Sequence, residues 1–234
     1  GKKDGYVKLP TGVGKTVLFI EFLRATQLRG LIVVPTNVLT QQTVQRIKQF
    51  AEELDVGRIN AFSKEFGRQV SIVTYASFVR HLQTGLIQPS NYECLILDEA
   101  HKALASGASQ AVRQFDEIPC LGFTATPDYS EKKKLANLLG EEICSMSVRS
   151  AIEDGLLANC SIVLALTDTS LEDVTVVGGR YREHDLARAV NIAARNEAAV
   201  ALYQKMFAGE WAVAYCVNVA HAEALAKCFA ERGI

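Results

Sequence analysis

The sequence predicts an α/β fold in which a parallel central sheet carries a glycine-containing loop at one edge, and three observations predict it. Short apolar runs rich in β-branched residues alternate with longer stretches of helical periodicity, the form that βαβ units take. The segment Leu9-Pro10-Thr11-Gly12-Val13-Gly14-Lys15-Thr16 follows the first apolar run directly and leads into a helical stretch. The acidic pair Asp98-Glu99 follows another such run, Cys94-Leu95-Ile96-Leu97.

Taken in order, strands are expected at 5–9, 31–34, 70–74, 94–97 and 120–123, each nearly continuously apolar, as strands covered on both faces are. A helix is expected from Gly14 to about residue 27. Another over 38–54 places Val44, Ile47, Phe50, Ala51 and Leu54 on one face. After Gly140 the texture changes. A short helix and turn at 150–158, a strand at 160–166 and a polar connection ending in Gly178-Gly179 are expected there. A helix at 185–208, a strand at 211–217 and a helix at 219–230 follow. The expected division is a first domain at 1–145, a link with an entry strand at 146–180, and the start of a second domain at 181–234. The last stretch holds too few elements to close a domain, and no internal repeat is visible.

With 234 residues, 49% hydrophobic and 22% charged, the composition is that of a globular protein large enough for one large core or two smaller ones. No apolar run is long enough to span a bilayer and nothing resembles a signal peptide, so no membrane partner is expected and a cytoplasmic setting is. The chain opens Gly1-Lys2-Lys3-Asp4 without an initiator Met, and further sequence upstream is expected. Six cysteines without a C-x-x-C pair read as free thiols in a reducing compartment. A net charge of −1 supplies no global basic field, so any grip on nucleic acid must come from a local groove.

The segment from Leu9 to Thr16 fits G-x-x-x-x-G-K-[ST] except for Leu9 at its first position. With a strand running in and a helix running out, backbone N–H groups of Thr11, Gly12, Val13, Gly14, Lys15 and Thr16 can face the phosphates of ATP, and the helix N-terminus adds its positive end. Lys15 is suited to reach the β- and γ-phosphates, and the Thr16 hydroxyl to ligate Mg²⁺. Asp98 and Glu99 emerge at the carboxyl end of their strand, the edge at which open α/β sheets bind ligands. Asp98 is suited to hold Mg²⁺, and Glu99 to orient and deprotonate the attacking water. Lys132-Lys133-Lys134 is read as a solvated helix start, outside the site.

With these residues in place, the chain resembles the superfamily 2 helicases and translocases, specifically the DEAH-box group similar to the motor parts of restriction enzymes and DNA-repair helicases. The phosphate loop resembles motif I, and Pro35-Thr36 with Leu39 and Gln42 resembles motif Ia. Val73-Thr74-Tyr75 is similar to Ib, Asp98-Glu99-Ala100-His101 to II, and Gly122-Phe123-Thr124-Ala125-Thr126-Pro127 to III. A weaker similarity covers 151–157, at the link into a second RecA-like domain, and 214–217 with His221-Ala222, near motif IV.

The resemblance implies a RecA-like P-loop NTPase domain with a parallel central sheet, followed by an incomplete second one. It also implies ATP with Mg²⁺ and a nucleic-acid partner, DNA favoured over RNA. Lys15, Asp98, Glu99 and His101 are the implied catalytic residues, and His101, Thr124 and Thr126 the coupling between ATP state and strand grip. Pro35, Thr36, Thr74 and Tyr75 are implied at the nucleic-acid groove. For Pro35-Thr36 a turn capping the next helix, and for Tyr75 a partly buried aromatic, stand beside that reading. The family's upstream adenine-reading element and downstream arginine finger are not among these residues, so the expectation is better ATP binding than turnover. Two alternatives stay open: an ATP-gated, non-catalytic nucleic-acid clamp, and a P-loop ATPase acting on another substrate. Oligomeric state has no readable signal.

Overall fold

In the computed structural model, residues 4–60, 63–128 and 134–234 are described. Lys132 and Lys133 lie outside them. The chain forms two compact units that meet in sequence between Cys160 and Ser161.

The first unit is built on seven strands: β1 (Gly5–Lys8), β2 (Gly30–Val34), β3 (Val56–Ile59), β4 (Val70–Thr74), β5 (Cys94–Asp98), β6 (Cys120–Thr124) and β7 (Glu142–Ser145). They lie in the order β3-β4-β2-β5-β6-β1-β7 and every neighbouring pair is parallel. The five expected strands are all here, within a residue of their expected bounds. The two that the sequence concealed are β3 and β7, the outer strands. Edge strands need no apolar residue on every position: β3 alternates half-buried and buried residues, and β7 is exposed along its length.

The helices are α1 (Lys15–Thr26), α2 (Asn37–Phe50), α3 (Tyr75–Gln83), α4 (Ser106–Arg113), α5 (Ala136–Leu139) and α6 (Val148–Glu153). Alternation along the strands splits the core into two layers. Ile32, Val34, Cys94 and Ile96 pack with Phe19, Ile20 and Leu23 of α1 and Ile47 of α2. Leu31, Val33, Leu95 and Leu97 pack with Phe78 and Leu82 of α3 and Ala111 and Val112 of α4. Each large side chain buried this way contributes about 1.5–3 kcal/mol relative to exposure. Phe50, expected on the core face, is 44% exposed. α2 ends at that residue, and the buried positions continue into the turn beyond it as Ala51 and Leu54.

The second unit departs further from expectation. Residues 160–166 and 211–217 pair with no strand among the described residues, and Ile162, Leu164, Leu166, Trp211, Val213 and Tyr215 are strongly exposed. An apolar alternating run favours a strand, but the strand exists only where a neighbour supplies the other half of its hydrogen bonds. Across the end of the expected connection, β8 (Val176–Val177) and β9 (Arg180–Tyr181) form a hairpin. Its turn needs positive φ at both central residues, and Gly178 and Gly179 provide it at 58° and 77°. The expected single helix at 185–208 is two, α7 (Glu183–Val190) and α8 (Ala193–Met206). Asn191 and Ile192 leave helical geometry between them, and the Asn191 side chain accepts a 3.0 Å bond from Asn196, the local competition that makes Asn a poor helix interior residue. α9 (Val219–Glu231), capped by the Asn218 side chain, ends the unit.

Candidate nucleotide-binding site

Gly12 and Gly14 adopt left-handed backbone at φ 97° and 93°, which lets the loop after β1 curl over the start of α1. Nothing stands within 4 Å of the position a Cβ would take at Gly14, so the cradle is open on that side. Gly14 precedes the helix without a side-chain cap, leaving the first N–H groups of α1 available to an anion. The loop is anchored at its base, where the Leu9 N–H donates to the carbonyl of Thr124 at 3.0 Å.

Lys15, the first residue of α1, is 8% exposed, and its ammonium donates to the carbonyls of Leu9 and Pro10 at 3.2 Å each. The charge is thereby held inside the loop by its own backbone. Thr16 follows, partly buried, in the first turn.

Asp98 ends β5 and is 8% exposed. Its Oδ1 accepts the Glu99 N–H at 3.1 Å. Burial, then the neighbouring Glu99 charge, push its carboxyl up to about 6, against the pull of that hydrogen bond and of Lys15. A buried carboxylate in this state is relieved either by a proton or by a nearby cation. Among the described residues no three His, Cys, Asp or Glu side chains form a metal cage. A divalent ion here would therefore draw on Asp98, the Thr16 hydroxyl and nucleotide phosphates, the ligand set that suits Mg²⁺.

Glu99 has φ 47° and ψ 54°, left-handed backbone that is uncommon outside glycine. It turns the chain sharply out of β5. His101 lies in the short 3₁₀ turn Ala100–Leu104, its Nδ1 3.0 Å from the Thr124 hydroxyl and 3.5 Å from Glu99 Oε2. The imidazole nitrogen can donate to or accept from the Thr124 hydroxyl, according to its tautomer. The Thr124 hydroxyl, wholly buried, also accepts the Thr126 N–H at 3.1 Å. Glu99, His101, Thr124 and Thr126 thus form one connected chain at the ends of β5 and β6.

The four residues expected at a nucleic-acid groove lie at the carboxyl ends of β2 and β4, Thr74 closing β4 and the others just beyond a strand, but they do not behave alike. Pro35 is half-buried and Thr36 exposed, with its hydroxyl capping α2 through the Leu39 N–H at 3.3 Å. Thr74 is 7% exposed and caps α3 through the Ser77 N–H at 3.2 Å. Tyr75, 9% exposed, turns inward, and its hydroxyl donates to the Asp98 carbonyl at 3.0 Å. Burial and the Asp98 charge hold that phenol well above its usual range, so it stays a donor. The side-chain hydroxyls of Thr74 and Tyr75 are thus both engaged in hydrogen bonds within the fold. Sequence reasoning missed the Tyr75 to Asp98 bond; the one available signal was that an aromatic directly after a fully buried strand continues its alternation into the core.

Comparison with known proteins follows the same outline. The profile of the family described as "Type III restriction enzyme, res subunit" matches residues 1–129. IRC3 of Saccharomyces cerevisiae, which carries the name of an ATP-dependent helicase, is 23% identical over 100% of the chain and 37% of its own length. XPB2 of Sulfurisphaera tokodaii, a DNA 3'-5' translocase by name, is 32% identical over 56% of the chain and 29% of its own length. The chain thus spans well under half of either relative. Among solved structures, the Hef helicase domain of Pyrococcus furiosus matches with a TM-score of 0.53 at 18% identity, covering 99% of the chain and 50% of that domain.

Proposed function

The chain belongs to the superfamily 2 helicases, in the family described as "Type III restriction enzyme, res subunit", and from that premise we propose that it is the ATP-binding part of a DEAH-box motor that moves along nucleic acid. The observation that carries this reading is the convergence of the Lys15 loop, the Asp98-Glu99 turn and the His101–Thr124 contact at one sheet edge.

In this reading the loop from Thr11 to Thr16 binds the phosphates, with Lys15 exchanging its two carbonyl partners for the β- and γ-phosphate oxygens. Thr16 and Asp98 would hold Mg²⁺, which would supply positive charge beside the phosphates. Glu99 takes the proton of the attacking water, and His101, beside it, senses the result and passes it to Thr124 and Thr126. Pro35 and Thr36 supply contacts to the nucleic-acid backbone, which carry little sequence information. DNA is the proposed track, in keeping with XPB2, whose name is that of a DNA translocase.

Residues 1–145 make up the ATP-binding domain in this scheme, 146–180 the link, and 181–234 the start of a second RecA-like domain. Six free cysteines favour a reducing, cytoplasmic setting.

Two variants test the reading. Lys15→Ala should weaken Mg²⁺-dependent binding of a fluorescent ATP analogue by roughly 100-fold or more. Glu99→Gln should keep that binding and cut hydrolysis by roughly 100-fold or more, with single-stranded DNA and RNA compared as stimulants. ATP binding unaffected by Lys15→Ala would sink the proposal.

A further inference from the structure

Asp98 sits where the ladder between β2 and β5 runs out. The register pairs Gly30 with Cys94, Leu31 with Leu95, Ile32 with Ile96 and Val33 with Leu97. The Cys94 N–H donates to the Arg29 carbonyl, whereas the Leu95 N–H turns the other way, to Pro119. In a parallel pair a residue's N–H and C=O point to the same neighbour and alternate along the strand. Cys94, Ile96 and Asp98 therefore face β2. The carbonyls of Cys94 and Ile96 meet the N–H groups of Leu31 and Val33, and the next donor in the series belongs to residue 35. That residue is proline and has no N–H.

The missing donor is replaced from another strand. Tyr75, the first residue after β4, carries its hydroxyl past the end of β2 to the Asp98 carbonyl at 3.0 Å. Its ring lies in the same buried cluster as Leu97 and Ala100, the residues that flank the acidic pair. The bond is made at the peptide between Asp98 and Glu99, immediately before the left-handed Glu99. Every rotation of that peptide re-aims both carboxylates.

We propose that Tyr75 is a positioning residue for the acidic pair: its hydroxyl stands in for the ladder donor that Pro35 cannot supply and fixes the Asp98–Glu99 peptide in the orientation ATP hydrolysis needs. The inference rests on the proposed ATPase function and assigns Tyr75 a role in turnover rather than in gripping nucleic acid.

Tyr75→Phe removes the one oxygen and keeps the ring. In single-turnover hydrolysis, with protein in excess over ATP, the variant should be slower by roughly tenfold while ATP affinity stays within about twofold. Adding Pro35→Ala returns a backbone N–H to the ladder, and the double variant should recover most of the lost rate. Independently of turnover, the Asp98 carbonyl ¹³C resonance should move upfield in Tyr75→Phe and return in the double variant. A Tyr75→Phe chain that hydrolyses ATP like the unchanged protein overturns the proposal, as does a slowed variant that Pro35→Ala leaves slow. Failure of both variants to fold would assign the hydroxyl to the core alone and overturn it too. If the unchanged chain binds no ATP, the proposed function falls, and a carbonyl resonance that ignores both substitutions disposes of the Tyr75 role separately.

Discussion

His101 Nδ1 lies 3.0 Å from the Thr124 hydroxyl, so the residue two positions beyond Glu99 is tied to the last residue of β6. The same Thr124 accepts the Leu9 N–H on its backbone carbonyl. One residue therefore touches the turn that carries the acids and the loop that would carry the phosphates.

Thr124→Val keeps the β-branched shape and removes the hydroxyl. ATP binding should be retained, and single-turnover hydrolysis should fall by roughly tenfold. Stability should drop by no more than about 1 kcal/mol, because the orphaned Thr126 N–H belongs to an exposed residue that water can reach. Single-turnover hydrolysis, with protein in excess over ATP, reads the first effect. An unchanged rate would break the proposed coupling.

Core and surface phenylalanines should separate cleanly. Phe19 is fully buried and meets Phe123 edge-on at 5.5 Å, so Phe19→Ala should cost about 3–5 kcal/mol in urea unfolding. Phe50→Ala, at a side chain 44% exposed, should cost less than about 1 kcal/mol. Equal losses would mean that α2 packs as its periodicity alone suggests.

His81 of α3 is 8% exposed, its Nδ1 has no partner among the described residues, and it packs edge-on to Phe66. Burial, then the charges of Lys64 and Arg80, hold its pKa below the usual value. The folded state thus binds a proton less readily than the unfolded chain, whose His titrates near about 6.5. The folded state is favoured above that pH, and the advantage is lost as pH falls through it towards the depressed folded value. Unfolding curves between pH 8 and 5 should show stability declining more steeply for the unchanged protein than for His81→Gln. Parallel curves would exclude His81 as the source.

The central strands were legible because a strand between two helical layers must be apolar at successive positions, as Leu31-Ile32-Val33-Val34 is. The outer strands were not, since Val56-Gly57-Arg58-Ile59 and Glu142-Ile143-Cys144-Ser145 meet that demand on one face or on neither. Asn191 marked a helix break that summed periodicity passed over. Trp211, Val213 and Tyr215 read as a strand, yet a strand's identity depends on a partner that no residue of the run can name.

By itself the sequence determined the chemistry that depends on neighbours along the chain. Gly12 and Gly14 permit left-handed turns, Lys15 and Thr16 open a helix, and Asp98 and Glu99 leave a buried strand together. Local dihedral preferences and residue types suffice for all of these. Only the tertiary structure decided that β6 lies between β5 and β1, which brings Thr124 to both His101 and Leu9. It also decided that the Tyr75 hydroxyl meets the Asp98 carbonyl. Strand order and inward rotation are set by packing both faces of the sheet at once, a condition on residues far apart in sequence that no local pattern records.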